Sequence, residues 1–118
     1  MTRQEIFDFV SEHLLEQGVE AVRKHSSGRD ECVFRTEKGL KCAIGCLIPE
    51  SEYRPGFEGR NFLEVARALP KHSALRRASV DHPTLLGGLM FVHDECVPSE
   101  WKVRLASLAA EHDLEFKC

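Results

Sequence analysis

The chain lacks any apolar run near the roughly 18 residues that a membrane-spanning helix needs. The N-terminal stretch Met-Thr-Arg-Gln-Glu carries neither a basic leader nor an apolar core of the kind a secretory signal requires. Both absences point to a cytoplasmic protein with no membrane partner. Aromatic residues are few, with one Trp and one Tyr, and they do not interleave with basic residues as a single-strand nucleic-acid platform does. No phosphate-cradling Gly-rich loop, dinucleotide fingerprint, Gly-x-Ser-x-Gly elbow or His-Glu-x-x-His pair occurs. These gaps remove the usual signals for nucleotide enzymes, serine hydrolases and zinc proteases, and no cofactor is expected.

Charge of one sign is missing from one interval. No acid lies between Glu64 and Asp81, while Arg67, Lys71, His72, Arg76 and Arg77 do. Against a net charge of −3 this is a local basic segment over 67–77. A solvated face is the ordinary explanation. The functional alternative is a contact for an acidic protein, with nucleic acid the less favoured partner.

The 118 residues suffice for one domain with its own core. Apolar residues make up 42% and charged residues 30%, a globular balance rather than a disordered one. The five cysteines, Cys32, Cys42, Cys46, Cys96 and Cys118, cannot all pair within the chain. Together with the missing leader, this favours thiols over a disulfide framework.

Helical signals are clearest at the start. Thr2 and Glu5 form a capping box, Ile6, Val10 and Leu14 recur on one face, and Gly18 closes the helix. Residues 19–30 have too few apolar positions to define a period and read as an irregular link. Cys32–Thr36 is rich in strand formers, Glu37-Lys38-Gly39 supplies a turn, and an apolar run from Leu40 to Ile48 returns, which predicts a β-hairpin. The returning arm near Cys42 fits helix or strand, since a short apolar run does not separate them. Pro49 ends it, and residues 50–60 read as an exposed loop.

Asn61 caps a second helix closed by Pro70. Residues 71–82 read as basic and turn-like, with at most one helical turn around Ala74. Asp81 or His82 opens a third helix through Pro83, apolar on most sides, with Gly87 and Gly88 as a place for a neighbouring backbone to approach. Ser99 caps a last helix carrying Trp101, Leu105 and Leu108. The expected fold class is α+β, about four helices packed around a small hairpin in a single compact domain of residues 1–118.

The blocks Cys32 to Arg35, Gly39-Leu-Lys-Cys-Ala-Ile-Gly-Cys-Leu-Ile-Pro49, Glu58-Gly59 and Leu85 to Asp94 resemble a group of small, largely uncharacterised phage and bacterial proteins. That group shares a Lys-Cys-Ala-Ile-Gly-x-Leu-Ile-Pro block, a Glu-Gly loop and a Leu-rich helix ending in His-Asp. In outline the resemblance spans roughly three quarters of the chain. It implies a phage or prophage origin and a shared fold, and no activity. Where the group has Leu-Gln-x-x-His-Asp, this chain has Leu89-Met90-Phe91-Val92-His93-Asp94, which disfavours a polar role for the middle of that helix.

Three thiol constellations follow. Cys42, His93 and Asp94 are the residue types of a nucleophile, a base and an orienting acid. Adjacent His and Asp point about 100° apart on a helix, however, so one site uses both only at a frayed end. Cys42-x₃-Cys46 with His93-x₂-Cys96 offers four zinc ligands, chelating if residues 42–46 are helical and roughly 13 Å apart if extended. Cys32 and Cys42 flank the predicted turn and, if opposed, form a packed thiol pair or a disulfide switch. Core packing is the ordinary role of all these groups.

The leading expectation is therefore a binding protein acting by protein–protein interaction, an inhibitor or modulator of a host or anti-phage defence component. Its contact surface is expected in the loop bearing Tyr53, Arg54, Phe57 and Arg60 and in the segment bearing Arg76 and Arg77. A thiol enzyme using Cys42 and His93, or a small zinc domain, is the alternative.

Overall fold

The computed structural model describes residues 1–116, so Cys118 lies outside the described residues. Helix α1, Arg3–Gln17, begins with the capping box: the Glu5 N–H donates to Thr2 Oγ1 and the Thr2 N–H to Glu5 Oε1. Gly18, at φ 68°, donates its N–H to Leu14 O and ends the helix in the left-handed conformation that glycine adopts without strain. Ile6, Phe7, Val10 and Leu14 form its buried stripe.

The hairpin lies one segment earlier than the strand formers indicate. Strand β1, Val22–Lys24, pairs antiparallel with β2, Asp30–Cys32, in the register Val22↔Cys32, Arg23↔Glu31 and Lys24↔Asp30. Residues 19–30 are thus not an irregular link. Two opposed ion pairs, Arg23–Glu31 and Lys24–Asp30, tie the strands, so cross-strand charge replaces the apolar alternation that marks most strands.

The predicted hairpin over Cys32–Ile48 survives only as an isolated Arg35↔Lys41 bridge. The Thr36 N–H reaches Leu40 O, and the Cys42 N–H reaches Phe34 O. Past Cys42 the chain coils: the Cys46 N–H donates to Cys42 O, and a 3₁₀ turn covers Gly45–Leu47. Coiling is forced by proximity as well as apolarity. A Cβ on Gly45 would lie 1.9 Å from Phe34 O, so the turn sits directly on the Phe34 backbone.

After a 3₁₀ turn at Pro55–Phe57 come four helices: α2, Phe62–Ala68; α3, Ala74–Asp81; α4, Pro83–Glu95; and α5, Trp101–Glu111. The described residues therefore hold five α-helices rather than four. The added one is α3, where a turn was expected, opened by Ser73 accepting the Arg76 N–H. Asn61 caps α2 as expected. Ser99 does not cap the last helix; it sits inside a 3₁₀ turn at Pro98–Glu100 that leads into α5.

Helix α4 is not apolar-buried all round: Phe91 is exposed, while Leu85, Leu86, Leu89, Val92 and His93 are buried. At Gly88 the close neighbour is the Leu108 side chain rather than a backbone, and nothing approaches Gly87. Helices α1, α4 and α5 pack on one another around Trp101, and α3 bridges α2 to α4. One cluster of buried residues joins every helix to the 33–48 segment, an α+β arrangement with the small sheet at its edge. Among the described residues no helix is long and apolar enough to cross a membrane.

Candidate functional site

Cys42 is buried, and its sulfur accepts the Gly45 N–H at 3.2 Å. Burial pushes its thiol up to about 12 despite that hydrogen bond. Cys46 donates its S–H to Ala43 O, and burial raises its thiol too. Cys96 is buried, and its carbonyl accepts the Trp101 indole N–H.

His93 is fully buried at the end of α4 and stacks on Trp101, ring centroids 5.6 Å apart. Its Nε2 faces the Ala21 N–H at 2.9 Å, and its Nδ1 lies 2.6 Å from Asp94 Oδ1. A backbone N–H can only donate, so Nε2 is the unprotonated acceptor and the proton sits on Nδ1, donated to Asp94. Both nitrogens are engaged, and neither is hydrogen-bonded to Cys42. The His93–Asp94 half of the expected triad exists, but it holds α4 to the chain entering β1 rather than presenting a base to a thiol.

Among the described residues, one group of metal-capable side chains converges: Cys32, His93 and Asp94, with ligand atoms within 4.8 Å of one another. The expected zinc set of Cys42, Cys46, His93 and Cys96 is not such a group. The hydrogen bonding of His93 also runs against metal binding. A ligating imidazole normally donates its other N–H to an acceptor, whereas here the other nitrogen accepts, so ligation through Nδ1 would demand an imidazolate. Cys32 is exposed, and its thiol is raised to about 12 by partial desolvation and then by the nearby Asp94 carboxylate. The 35↔41 bridge places Cys42 opposite Phe34, so Cys32 and Cys42 are not cross-strand partners.

The chain's other polar centre is Glu58. Its Oε1 accepts the Phe34 N–H at 2.9 Å, and its Oε2 accepts the Arg35 N–H at 3.1 Å and the Tyr53 hydroxyl at 2.6 Å. The loop over 50–60 is thereby folded back onto the 33–35 segment. Tyr53 meets Phe57 edge-on, and the Arg35 guanidinium lies 4.5 Å above the Tyr53 ring. Partial desolvation and the Glu58 carboxylate push the Tyr53 hydroxyl up to about 12.

Glu58 separates two cavities. A smaller one of about 330 Å³ is lined by Cys32, Phe34, Cys42, Met90 and Asp94. A larger one of about 650 Å³ is lined by Arg23, Arg35, Lys41, Tyr53, Glu37 and Glu50. A neighbouring recess of about 550 Å³ shares Arg23, Arg35, Thr36 and Glu37 with it. Together they make one groove across the face of the two hairpin-like segments.

The expected contact residues divide. Arg54 and Arg60 are exposed, and Tyr53 is half-buried at the larger cavity. Phe57 is not a surface anchor: it is buried in the core, where an apolar ring in so short a loop is covered as the loop folds back. Arg76 is half-buried and donates from Nη1 to Leu69 O at 2.8 Å, closing the end of α2. Arg77 is exposed. Sequence reasoning missed Arg23, Arg35 and Lys41 as a group. They are scattered along the chain, so no charge run marks them; only the fold brings them together. No protein family, curated protein or solved structure matches this chain.

Proposed function

We propose that the chain is a small binding protein that engages a partner protein through the groove around Arg35 and Tyr53, the exposed Arg54 next to it in sequence, and the exposed Arg60 at the smaller cavity. The carrying observation is His93. With Nε2 accepting the Ala21 N–H and Nδ1 bound to Asp94, the imidazole of the expected triad is not placed to activate Cys42. What faces outward with chemistry to offer is arginine and tyrosine, the side chains that most often anchor interfaces.

Acidic residues are interspersed with basic ones along the groove, which suits a polypeptide of mixed charge better than a polyphosphate backbone. The resemblance to phage proteins adds the expectation that the partner is a host or anti-phage defence component, with this chain as its inhibitor or modulator.

The test is affinity capture from host lysate, before and after phage infection, with the chain and its Arg54→Glu/Arg60→Glu variant as baits. A discrete protein held by the parent and lost by the variant supports the reading. Equal capture by both, or steady turnover of a thiol-reactive ester that stops in Cys42→Ala, overturns it.

A further inference from the structure

We infer that Arg35 is a carboxylate-binding residue, and that the larger cavity receives an aspartate or glutamate side chain of the partner. This rests on the binding reading above and names the chemistry of its central contact.

Arg35 is held in an unusual way for a charged side chain. Only 16% of it is exposed, and its nearest counter-charge, Glu50 Oε1, is 4.0 Å from Nη1, beyond hydrogen-bond reach. Glu50 itself is 92% exposed, so it is a loose neighbour rather than a fixed partner. The Nε and Nη2 atoms, both shielded, have no hydrogen-bond partner among the described residues. These two atoms form one edge of the guanidinium, the side-on fork that accommodates the two oxygens of a carboxylate in plane.

Leaving such a fork unpaired is unfavourable. Stacking on Tyr53 compensates in part and orients the plane. Tyr53 is in turn fixed by Glu58, whose carboxylate is saturated by two backbone N–H groups and the phenol. Glu58 therefore makes no hydrogen bond to the guanidinium, whose Nε and Nη2 are left for another acceptor.

The cavity's other charges favour a carboxylate over a phosphate. Arg23 is already engaged by Glu31, and Lys41 shares the space with Glu37, Glu50 and Glu58. The three carboxylates repel a doubly charged tetrahedral anion about twice as strongly as a singly charged planar one, which also matches the fork in shape. Nε and Nη2 lie beneath the surface, so a carboxylate pairs with both once the Arg35 side chain turns that edge toward the cavity. Entry displaces nothing but the exposed Glu50 carboxylate from the neighbourhood of Nη1.

The experiment is a ¹H–¹⁵N NMR titration of the full chain, reading the Arg35 Nε–H and the Tyr53 backbone amide. The probes are capped glutamate (N-acetyl-glutamate N-methylamide), its neutral glutamine analogue, and inorganic phosphate. Saturable millimolar shifts of the Arg35 Nε–H with capped glutamate, absent with the glutamine analogue, are expected. In Arg35→Lys, which keeps the charge and loses the fork, the Tyr53 response should weaken at least fivefold. No saturable response in the parent protein, an equal response to the glutamine analogue, or tighter binding of phosphate than of capped glutamate overturns the assignment. The parent titration alone decides this if Arg35→Lys does not fold. Such a failure would leave partner capture through Arg54 and Arg60 standing, so the two readings fail separately.

Discussion

The imidazole of His93 accepts the backbone N–H of Ala21 at 2.9 Å, joining the last turn of α4 to the residue before β1. Both groups are buried, so the bond excludes water and fixes the tautomer through Asp94. His93→Ala removes this acceptor, orphans a buried N–H and empties the space against Trp101. It should cost roughly 3 kcal/mol, lowering the melting temperature by roughly 10 °C. His93→Gln, whose Oε1 can take the Nε2 position, should recover part of the loss. Denaturant midpoints followed by Trp101 fluorescence measure both. A His93→Ala variant as stable as the parent would show that the contact is incidental.

Two glycines should respond oppositely to alanine. At Gly45 an added Cβ would lie 1.9 Å from Phe34 O and 2.7 Å from its carbonyl carbon, both backbone atoms with nowhere to move. Gly45→Ala should therefore destabilise by about 3 kcal/mol or more, or prevent folding. Gly87 lies inside α4 with open space at its Cβ. Gly87→Ala should stabilise by about 0.5–1 kcal/mol through helix propensity. Thermal melts of the pair settle the contrast.

The first helix was legible because its cap, its stripe and its terminating Gly18 all act within the chain's own neighbourhood. The polar hairpin was not, because Arg23–Glu31 and Lys24–Asp30 stabilise it across strands and leave no apolar alternation to read. Nor was α3, a helix whose exposed Arg77 and Val80 make it look like loop, while buried Leu75 and Ala78 anchor it. His93 and Asp94 were visible as a reactive pair, but their partner, a backbone N–H far away in sequence, was not. The Arg35 environment was hidden for the same reason, since Glu58 and Tyr53 reach it only once the loop folds back.

The basic segment needs separate treatment of its two arginines. Arg76 closes α2 through Leu69 O, so Arg76→Glu should lower stability by about 1–2 kcal/mol in addition to any effect on binding. Arg77 is exposed and makes no side-chain hydrogen bond within the described residues, so Arg77→Glu should shift the melting temperature by less than about 2 °C. Only the second variant is a clean probe of partner contact. If Arg77→Glu captures the partner as well as the parent does, the basic segment is a solvated face.

The thiols carry the sharpest chemical prediction. Burial disfavours the Cys42 thiolate and pushes its thiol up to about 12 from an ordinary 9.0. At neutral pH this leaves about three orders of magnitude less thiolate than an ordinary cysteine has. In a Cys118→Ser background, iodoacetamide at pH 7.5 should therefore label Cys42 and Cys46 far more slowly than it labels glutathione, as mass spectrometry would record. Cys32, exposed but held protonated beside Asp94, should also react slowly. The same shifts set a pH dependence. Below pH 9 the thiols are neutral whether the chain is folded or not, and they leave stability independent of pH. Between 9 and 12 the unfolded chain loses protons that the folded one keeps, so stability falls as pH rises through that window. Denaturant midpoints should drop steadily from pH 9 to 11, and less steeply in Cys42→Ala. Rapid single-site labelling of Cys42 that vanishes in His93→Ala would instead mean that the imidazole does reach the sulfur, and the thiol-enzyme reading would replace the binding one.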